Sequence, residues 1–203
     1  MKIICIGRNY VDHIKELNNE INEDPVVFMK PETAVPLRDF PFFYPSFSND
    51  VHHEIEVVLK ICKTGKNISE KFADKYFEEL TVGIDFTARD LQAKLKAKGL
   101  PWELAKAFDG SAIVGRFISK SEIKDLRDIT FSLKVNDEIK QQGNTSLMLF
   151  PFERIISFVS KFITLKKGDL IFTGTPKGVG PVKINDKLQG YLGATELFKI
   201  DVK

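Results

Sequence analysis

Cysteine is nearly absent from this chain. Cys5 and Cys62 are far apart and form no C-x-x-C pair, which argues against a disulfide framework or a zinc–thiolate site and fits a reducing compartment. No apolar run approaches the length that spans a bilayer. The apolar stretch in MKIICIGRNY ends at Gly7-Arg8, too soon for a signal peptide. Neither charge is in excess, with 30 Lys+Arg against 28 Asp+Glu, so there is no gross basic field for nucleic acid or an anionic membrane. Arginine is scarce beside lysine, a further argument against a base-reading surface. Repeats, low-complexity stretches and a dividing linker are missing as well. The expectation is a cytoplasmic protein with one domain over residues 1–203, binding neither nucleic acid nor membrane.

The chain of 203 residues, 43% apolar and 29% charged, is long enough for one sizeable core. Residues 2–6 read as a strand. Val11, Ile14 and Leu17 recur at helical steps in a polar segment that ends at Pro25. PVVFMKPETAV reads as a strand running into a loop, and residues 36–50 as an ordered aromatic loop. VHHEIEVVLKIC reads as a strand, ISEKFADKYFEE as a helix capped by Ser69, LTVGID as a strand, and TARDLQAKLKAKG as a helix stopped by Gly99. LPWELAKAFDGSAIVG looks irregular and strand-like. A hairpin is expected around Asn136-Asp137, a helix then a turn at Lys167-Gly168-Asp169 after Phe150, and a strand pair in the tail. Strands dominate without regular alternation with helices, so the fold class expected is α+β.

Three carboxylates carry most of the functional signal. Glu54 and Glu56 lie two apart in an apolar run, hence on one face of a strand. Asp85 ends another apolar strand. Paired like charges in an apolar element are costly unless a cation neutralises them, and an oxygen-loving divalent metal such as Mg²⁺ or Mn²⁺ would do so. Taken alone, Glu-x-Glu is better explained as the solvated face of an amphipathic strand.

Other residues gain meaning beside that triad. His13 and Glu16 are at i and i+3, which suits a carboxylate-oriented general base, although a surface histidine on a polar helix fits the spacing as well. His52 and His53 face opposite ways on a strand and are not assigned as ligands. Arg89 and Gln92 follow Asp85 at i and i+3, where Arg89 would fork onto a substrate carboxylate unless the two form an ordinary solvated face. Lys106, between Ala and Phe neighbours, either snorkels or enters a cleft. GTPKGVG at 174–180 lacks a Walker ending; a loop offering backbone N–H groups and the Thr175 hydroxyl to an anion, or a plain turn, fits it better.

GRNYVDHIKE, Lys30-Pro31, HHEIE, GIDFTARDLQ, KGLPWELAKAFD and TGTPKGVGPV, in this order, resemble the fumarylacetoacetate hydrolase family, and within it the short acylpyruvase and oxaloacetate decarboxylase branch. The resemblance implies a mixed β-roll or sandwich core with peripheral helices, usually as a homodimer. It implies Glu54, Glu56 and Asp85 as Mg²⁺ or Mn²⁺ ligands and His13–Glu16 as a water-activating pair on a segment, residues 11–24, that orders over the substrate. It also implies Lys106 as the active-site lysine, with Arg89, Gln92 and Thr175 lining the pocket. A 2-oxo acid would chelate the metal, which stabilises an enolate as a bond to C3 breaks. Hydrolysis of 3-acylpyruvates to pyruvate and a carboxylic acid is the first expectation. Oxaloacetate decarboxylation and enol–keto tautomerisation at the same site are alternatives, and a non-catalytic metal-stabilised protein is an alternative of another class.

Overall fold

The computed structural model describes residues 1–16, 22–37 and 40–203. Strands β1 (Ile3–Gly7), β2 (Val26–Lys30), β3 (Val51–His53), β4 (Ile55–Ile61), β5 (Phe77–Asp85), β6 (Thr87–Ala88) and β7 (Ala112–Val114) build most of the first half. β8 (Ile118–Ser119), β9 (Thr130–Val135), β10 (Glu138–Asn144), β11 (Leu170–Phe172), β12 (Gly180–Pro181), β13 (Lys187–Leu192) and β14 (Thr195–Asp201) complete the set. The helices are short: α1 (Val11–Glu16), α2 (Glu70–Ala73), α3 (Arg89–Ala97), α4 (Glu103–Lys106) and α5 (Phe152–Phe162).

A mixed sheet runs in the order β2-β1-β11-β4-β5-β7, with β8 also on β5; β1 and β11 are parallel and the other pairs antiparallel. An antiparallel sheet, β10-β9-β13-β14, packs over one face, and a small sheet, β12-β3-β6, stands at one end. The α+β expectation is met. The face against the second sheet carries Ile4, Ile6, Val57, Leu59, Leu80, Val82 and Ile84, packed with Phe131, Leu133, Leu188 and Leu197. Each such side chain contributes roughly 1.5–3 kcal/mol by leaving water, so this face holds the sheets together. The opposite face alternates with it: Ile3, Cys5, Val58 and Phe172 form a smaller cluster there. The same parity continues to Lys30, Glu56 and Asp85.

Most expected elements are present. The hairpin turns at Asn136 and Asp137, both with positive φ (51° and 68°), the mirror-image turn that matches strand twist. The aromatic loop is anchored where Phe42 stacks on Phe86 at 3.8 Å and its N–H bonds to the Asp201 carbonyl. Four expectations are corrected. The strand expected over 51–62 breaks at Glu54, where the chain passes from the small sheet to the large one. The helix expected from Ile68 to Glu79 shrinks to α2 and a 3-10 turn, because Phe77–Glu79 pair with β4 and β8; Ser69 sits at its N-cap position without a side-chain cap. The next helix starts at Arg89 rather than Thr87, since Thr87 and Ala88 pair with β3. The stretch 100–115, expected to be strand-like, contains α4 before β7. Of the expected 11–24 segment, residues 17–21 lie outside the described residues; α1 itself is docked, with Ile14 buried.

Candidate active site

Strand register assembles the three carboxylates. Ile55 faces Ile84 and Glu56 faces Gly83 across the β4–β5 ladder. One step further the Asp85 N–H donates to the Glu54 carbonyl at 2.9 Å, so the two residues sit opposite each other although Glu54 lies in the break between strands. Glu54 and Asp85 therefore share a face with Glu56. One carboxylate oxygen from each of the three lies within 4.8 Å of the others, and all three residues are buried.

Cations on neighbouring elements answer this charge. Lys106 Nζ, from α4, lies 2.8 Å from Glu54 Oε2 and 2.6 Å from Asp85 Oδ2. Lys30 Nζ, from β2, lies 2.8 Å from Asp85 Oδ1; it also donates to Ser111 Oγ and to the carbonyls of Ser111 and Lys106. Arg89 Nη2, at the start of α3, is 2.5 Å from Glu54 Oε1. The sequence reading left neutralisation of the carboxylates to a metal; the protein's own lysines and arginine do part of it. Burial pushes the Glu54 carboxyl up, but Lys106 and then Arg89 outweigh it and hold it well below the ordinary carboxylate range. Burial likewise disfavours charged Lys106, and Asp85 and Glu54 outweigh it, so the ammonium stays protonated.

Glu56 is different. Among the described residues no salt bridge reaches it, and the Gly174 N–H donates to its Oε2 at 2.6 Å. Burial and the nearby Asp85 raise its carboxyl well above the usual value. A buried all-oxygen donor set with one carboxylate short of a countercharge fits a hard divalent cation. Gly174 meets Glu56 because its φ is +104° and a Cβ there would lie 2.6 Å from Asn9 Cβ, so only glycine suits the position.

The remaining expected residues converge on the same cleft. His13, Glu54, Glu56, Asp85, Arg89, Gln92, Lys106 and Thr175 line it, together with Ile6, Gly7, Arg8, Phe28, Lys96 and Trp102. Glu16 stands just behind, its Oε2 3.1 Å from His13 Nδ1. The Gly178 N–H donates to Glu16 Oε1 at 3.0 Å, and Lys177 pairs with Asp12 at 3.1 Å. GTPKGVG thus turns backbone N–H groups toward the protein's own Glu56 and Glu16. Arg89, expected to fork onto a substrate carboxylate, is engaged by Glu54 and by Gln92 Oε1 at 2.7 Å. His52 pairs with Asp50 and His53 with Gln141, both outside the cleft lining.

Two buried residues had not been singled out as site residues. Lys30 has a period-two signal, since it shares the face of Phe28 and Cys5. Gln141 connects distant parts: its Oε1 accepts from Ile55 N at 3.0 Å, and its Nε2 donates to Thr175 Oγ1 at 2.9 Å and to the Pro176 carbonyl at 3.1 Å. Nothing in the β10 pattern marks it.

Residues 2–203 match the sequence pattern described as Fumarylacetoacetate (FAA) hydrolase C-terminal. The chain belongs to the fumarylacetoacetate hydrolase family. It is 44% identical over 201 residues, 99% of this chain and 91% of the other, to "Oxaloacetate tautomerase FAHD1, mitochondrial" of Mus musculus. It is 44% identical over 183 residues, covering 90% and 84%, to "Oxaloacetate decarboxylase, mitochondrial" of Dictyostelium discoideum. A fumarylpyruvate hydrolase structure from Pseudomonas aeruginosa, in complex with Mn²⁺ and pyruvate, superposes with a TM-score of 0.93 at 36% identity, covering 100% of this chain and 89% of that one. These names move the emphasis from the first expectation, acylpyruvate hydrolysis, to its oxaloacetate alternatives. Among the described residues no helix is long and apolar enough to cross a membrane.

Proposed function

We propose that this fumarylacetoacetate hydrolase family member is a divalent-metal-dependent enzyme that interconverts the enol and keto forms of oxaloacetate. One observation carries the reading: a single buried cleft sets His13, oriented by Glu16, beside the Glu54–Glu56–Asp85 triad. The substrate comes from the oxaloacetate relatives, which match nearly the whole chain. Glu54, Glu56 and Asp85 would hold Mg²⁺ or Mn²⁺. That cation, when bound, supplies Lewis-acid polarisation of a 2-oxo acid's oxygens.

The rest is work for side chains. Glu16 fixes the His13 ring through Nδ1 and leaves Nε2 to exchange a proton with C3. Lys106, protonated and buried, carries the proton for the 2-oxo oxygen. In the keto-to-enol direction C3 loses a proton to His13 and the oxygen gains one from Lys106; the reverse direction returns both. Gln92 and Thr175 orient the substrate, and Phe28 and Trp102, with ring centroids 6.0 Å apart, wall off water and strengthen these interactions.

Acylpyruvate hydrolysis remains a second reading, since the His13–Glu16 pair would activate water equally well and the Pseudomonas aeruginosa structure is of a fumarylpyruvate hydrolase. The test is a panel with Mg²⁺: enol-oxaloacetate followed by ultraviolet absorbance, and acetylpyruvate, fumarylpyruvate and keto-oxaloacetate followed by pyruvate release. Fast enol–keto conversion with slow pyruvate release supports the tautomerase. Efficient pyruvate release from an acylpyruvate, without enhanced tautomerisation, would replace it with the hydrolase.

A further inference from the structure

We propose that Gln141, which stands outside the cleft lining, is a positioning residue: its carboxamide makes the Thr175 hydroxyl a hydrogen-bond donor toward the cleft and so selects a ligand that presents an anionic oxygen there. The inference rests on the reading of the cleft as a 2-oxo acid site and deepens it.

A threonine hydroxyl has one hydrogen and two lone pairs and rotates to suit its partners. What it offers a ligand is therefore decided by its protein neighbours. Thr175 is buried and lines the cleft, and among the described residues it meets two such neighbours, Gln141 and the Pro176 carbonyl. Gln141, on β10, is itself buried. Backbone groups at both ends fix which way its amide points. The Ile55 N–H only donates, and it lies 3.0 Å from Oε1; the Pro176 carbonyl only accepts, and it lies 3.1 Å from Nε2. A reversed amide would set donor against donor and acceptor against acceptor. His53 Nδ1, 2.9 Å from Oε1, accordingly carries its hydrogen. With Thr175 Oγ1 at 2.9 Å from Nε2, both amide hydrogens and both oxygen lone pairs are used.

Thr175 is thus the acceptor in its bond with Gln141, and its own hydrogen is left over. The acceptor nearest to hand is the Pro176 carbonyl, 3.5 Å away and already taking the Gln141 N–H. A bond at that distance is weak, so the hydrogen is free for the cleft. The neighbouring Gly174 N–H donates to Glu56, which sets the hydroxyl beside the carboxylate floor. A buried hydroxyl held as a donor favours a carboxylate or enolate oxygen over a group that brings its own hydrogen. Ile55 lies between Glu54 and Glu56, so Gln141 also ties the floor to the loop of Thr175, and a purely structural role is the competing account.

The test titrates oxalate, a stand-in for the head of a 2-oxo acid, by calorimetry at saturating Mn²⁺. Gln141→Met keeps length and volume without the amide. It leaves the Pro176 carbonyl without its partner and the Thr175 hydrogen free to turn onto it, so oxalate affinity should fall about tenfold. Thr175→Val should lose as much. In the Thr175→Val background Gln141→Met should then cost less than about twofold, because the hydroxyl through which it acts is gone. In turnover of enol-oxaloacetate Gln141→Met should raise KM about tenfold with little change in kcat. Gln141→Glu, whose carboxyl cannot donate to Thr175 and Pro176 at once, serves the same cycle where Gln141→Met does not fold. Equal losses in the two backgrounds would make Gln141 merely structural and overturn the proposal, as would an unchanged oxalate affinity in both Gln141 variants or no oxalate bound by wild type. The binding arm needs no turnover: a Gln141-dependent oxalate affinity in a wild type that does not tautomerise oxaloacetate would sink the tautomerase reading and leave the Gln141 assignment standing.

Discussion

Glu54, Glu56 and Asp85 stand on adjacent strands whose ladder fixes them to one another. His13 and Glu16 stand on a six-residue helix that is held to the cleft by a loop 162 positions further along the chain. Local pairing therefore builds the floor of the site and distant docking builds its cover. A floor made this way is rigid and expensive to disturb, because buried cations have been placed to match it. A cover of this kind rests on one buried apolar side chain, Ile14, a few hydrogen bonds and one ion pair at the surface, and can change without unfolding the sheet.

Substitution of Asp85 by Asn should have the largest effect. It removes a proposed cation ligand and leaves Lys30 and Lys106 short of a buried partner, so stability should fall by about 3–5 kcal/mol. The sequence alone suggests the contrary, that removing one of three like charges relieves repulsion. Denaturant midpoints for wild type and Asp85→Asn decide between the two. Mn²⁺ affinity should fall at least about a hundredfold in the same variant.

His13→Ala comes next. Proton transfer should slow by about a hundredfold or more, while Mn²⁺ affinity and the denaturant midpoint stay near wild type. Decarboxylation of oxaloacetate, which needs no base, should fall much less. An equal loss of metal affinity in His13→Ala would show that floor and cover are not separable. Glu16→Gln keeps an acceptor for Gly178 and loses the charge that supports the imidazole, so about a tenfold loss in kcat is expected.

How far the site could be read from sequence follows the same division. Period-two alternation found the carboxylate face from Glu54 and Glu56, and the apolar run LTVGID led to Asp85. It missed the break at Glu54, since a change of sheet partner leaves no mark on the alternation. The His13–Glu16 pair was legible as an i, i+3 spacing, whereas its dock was not: Gly178 meets Glu16 only through tertiary packing. Gln141 was invisible for the same reason. Its bonds bridge the start of β4 and the loop after β11, so Gln141→Leu should cost about 1–3 kcal/mol by leaving buried polar groups unmet, read as a lower denaturant midpoint.

The smallest expected effect lies far from the cleft. Asp169 accepts from Lys2 Nζ at 2.5 Å, Lys2 N at 2.9 Å and Lys166 N at 2.7 Å. Burial raises its pKa, but these bonds outweigh burial and hold it below the ordinary carboxylate value. A depressed folded pKa gives stability that is present above the unfolded value of about 3.9 and is lost as pH falls through the folded pKa. Asp169→Asn should therefore lower the melting temperature modestly at pH 7 and flatten its decline on acidification below about pH 4.

The most telling measurement is a titration of Mg²⁺ or Mn²⁺ into metal-free protein while the absorbance of enol-oxaloacetate is followed. The rate should rise from background to saturation, return to background on addition of chelator, and stay flat in Asp85→Asn. A conversion rate in wild type that is the same with chelator as with metal would contradict the assignment of Glu54, Glu56 and Asp85 as the cation-holding floor of a tautomerase.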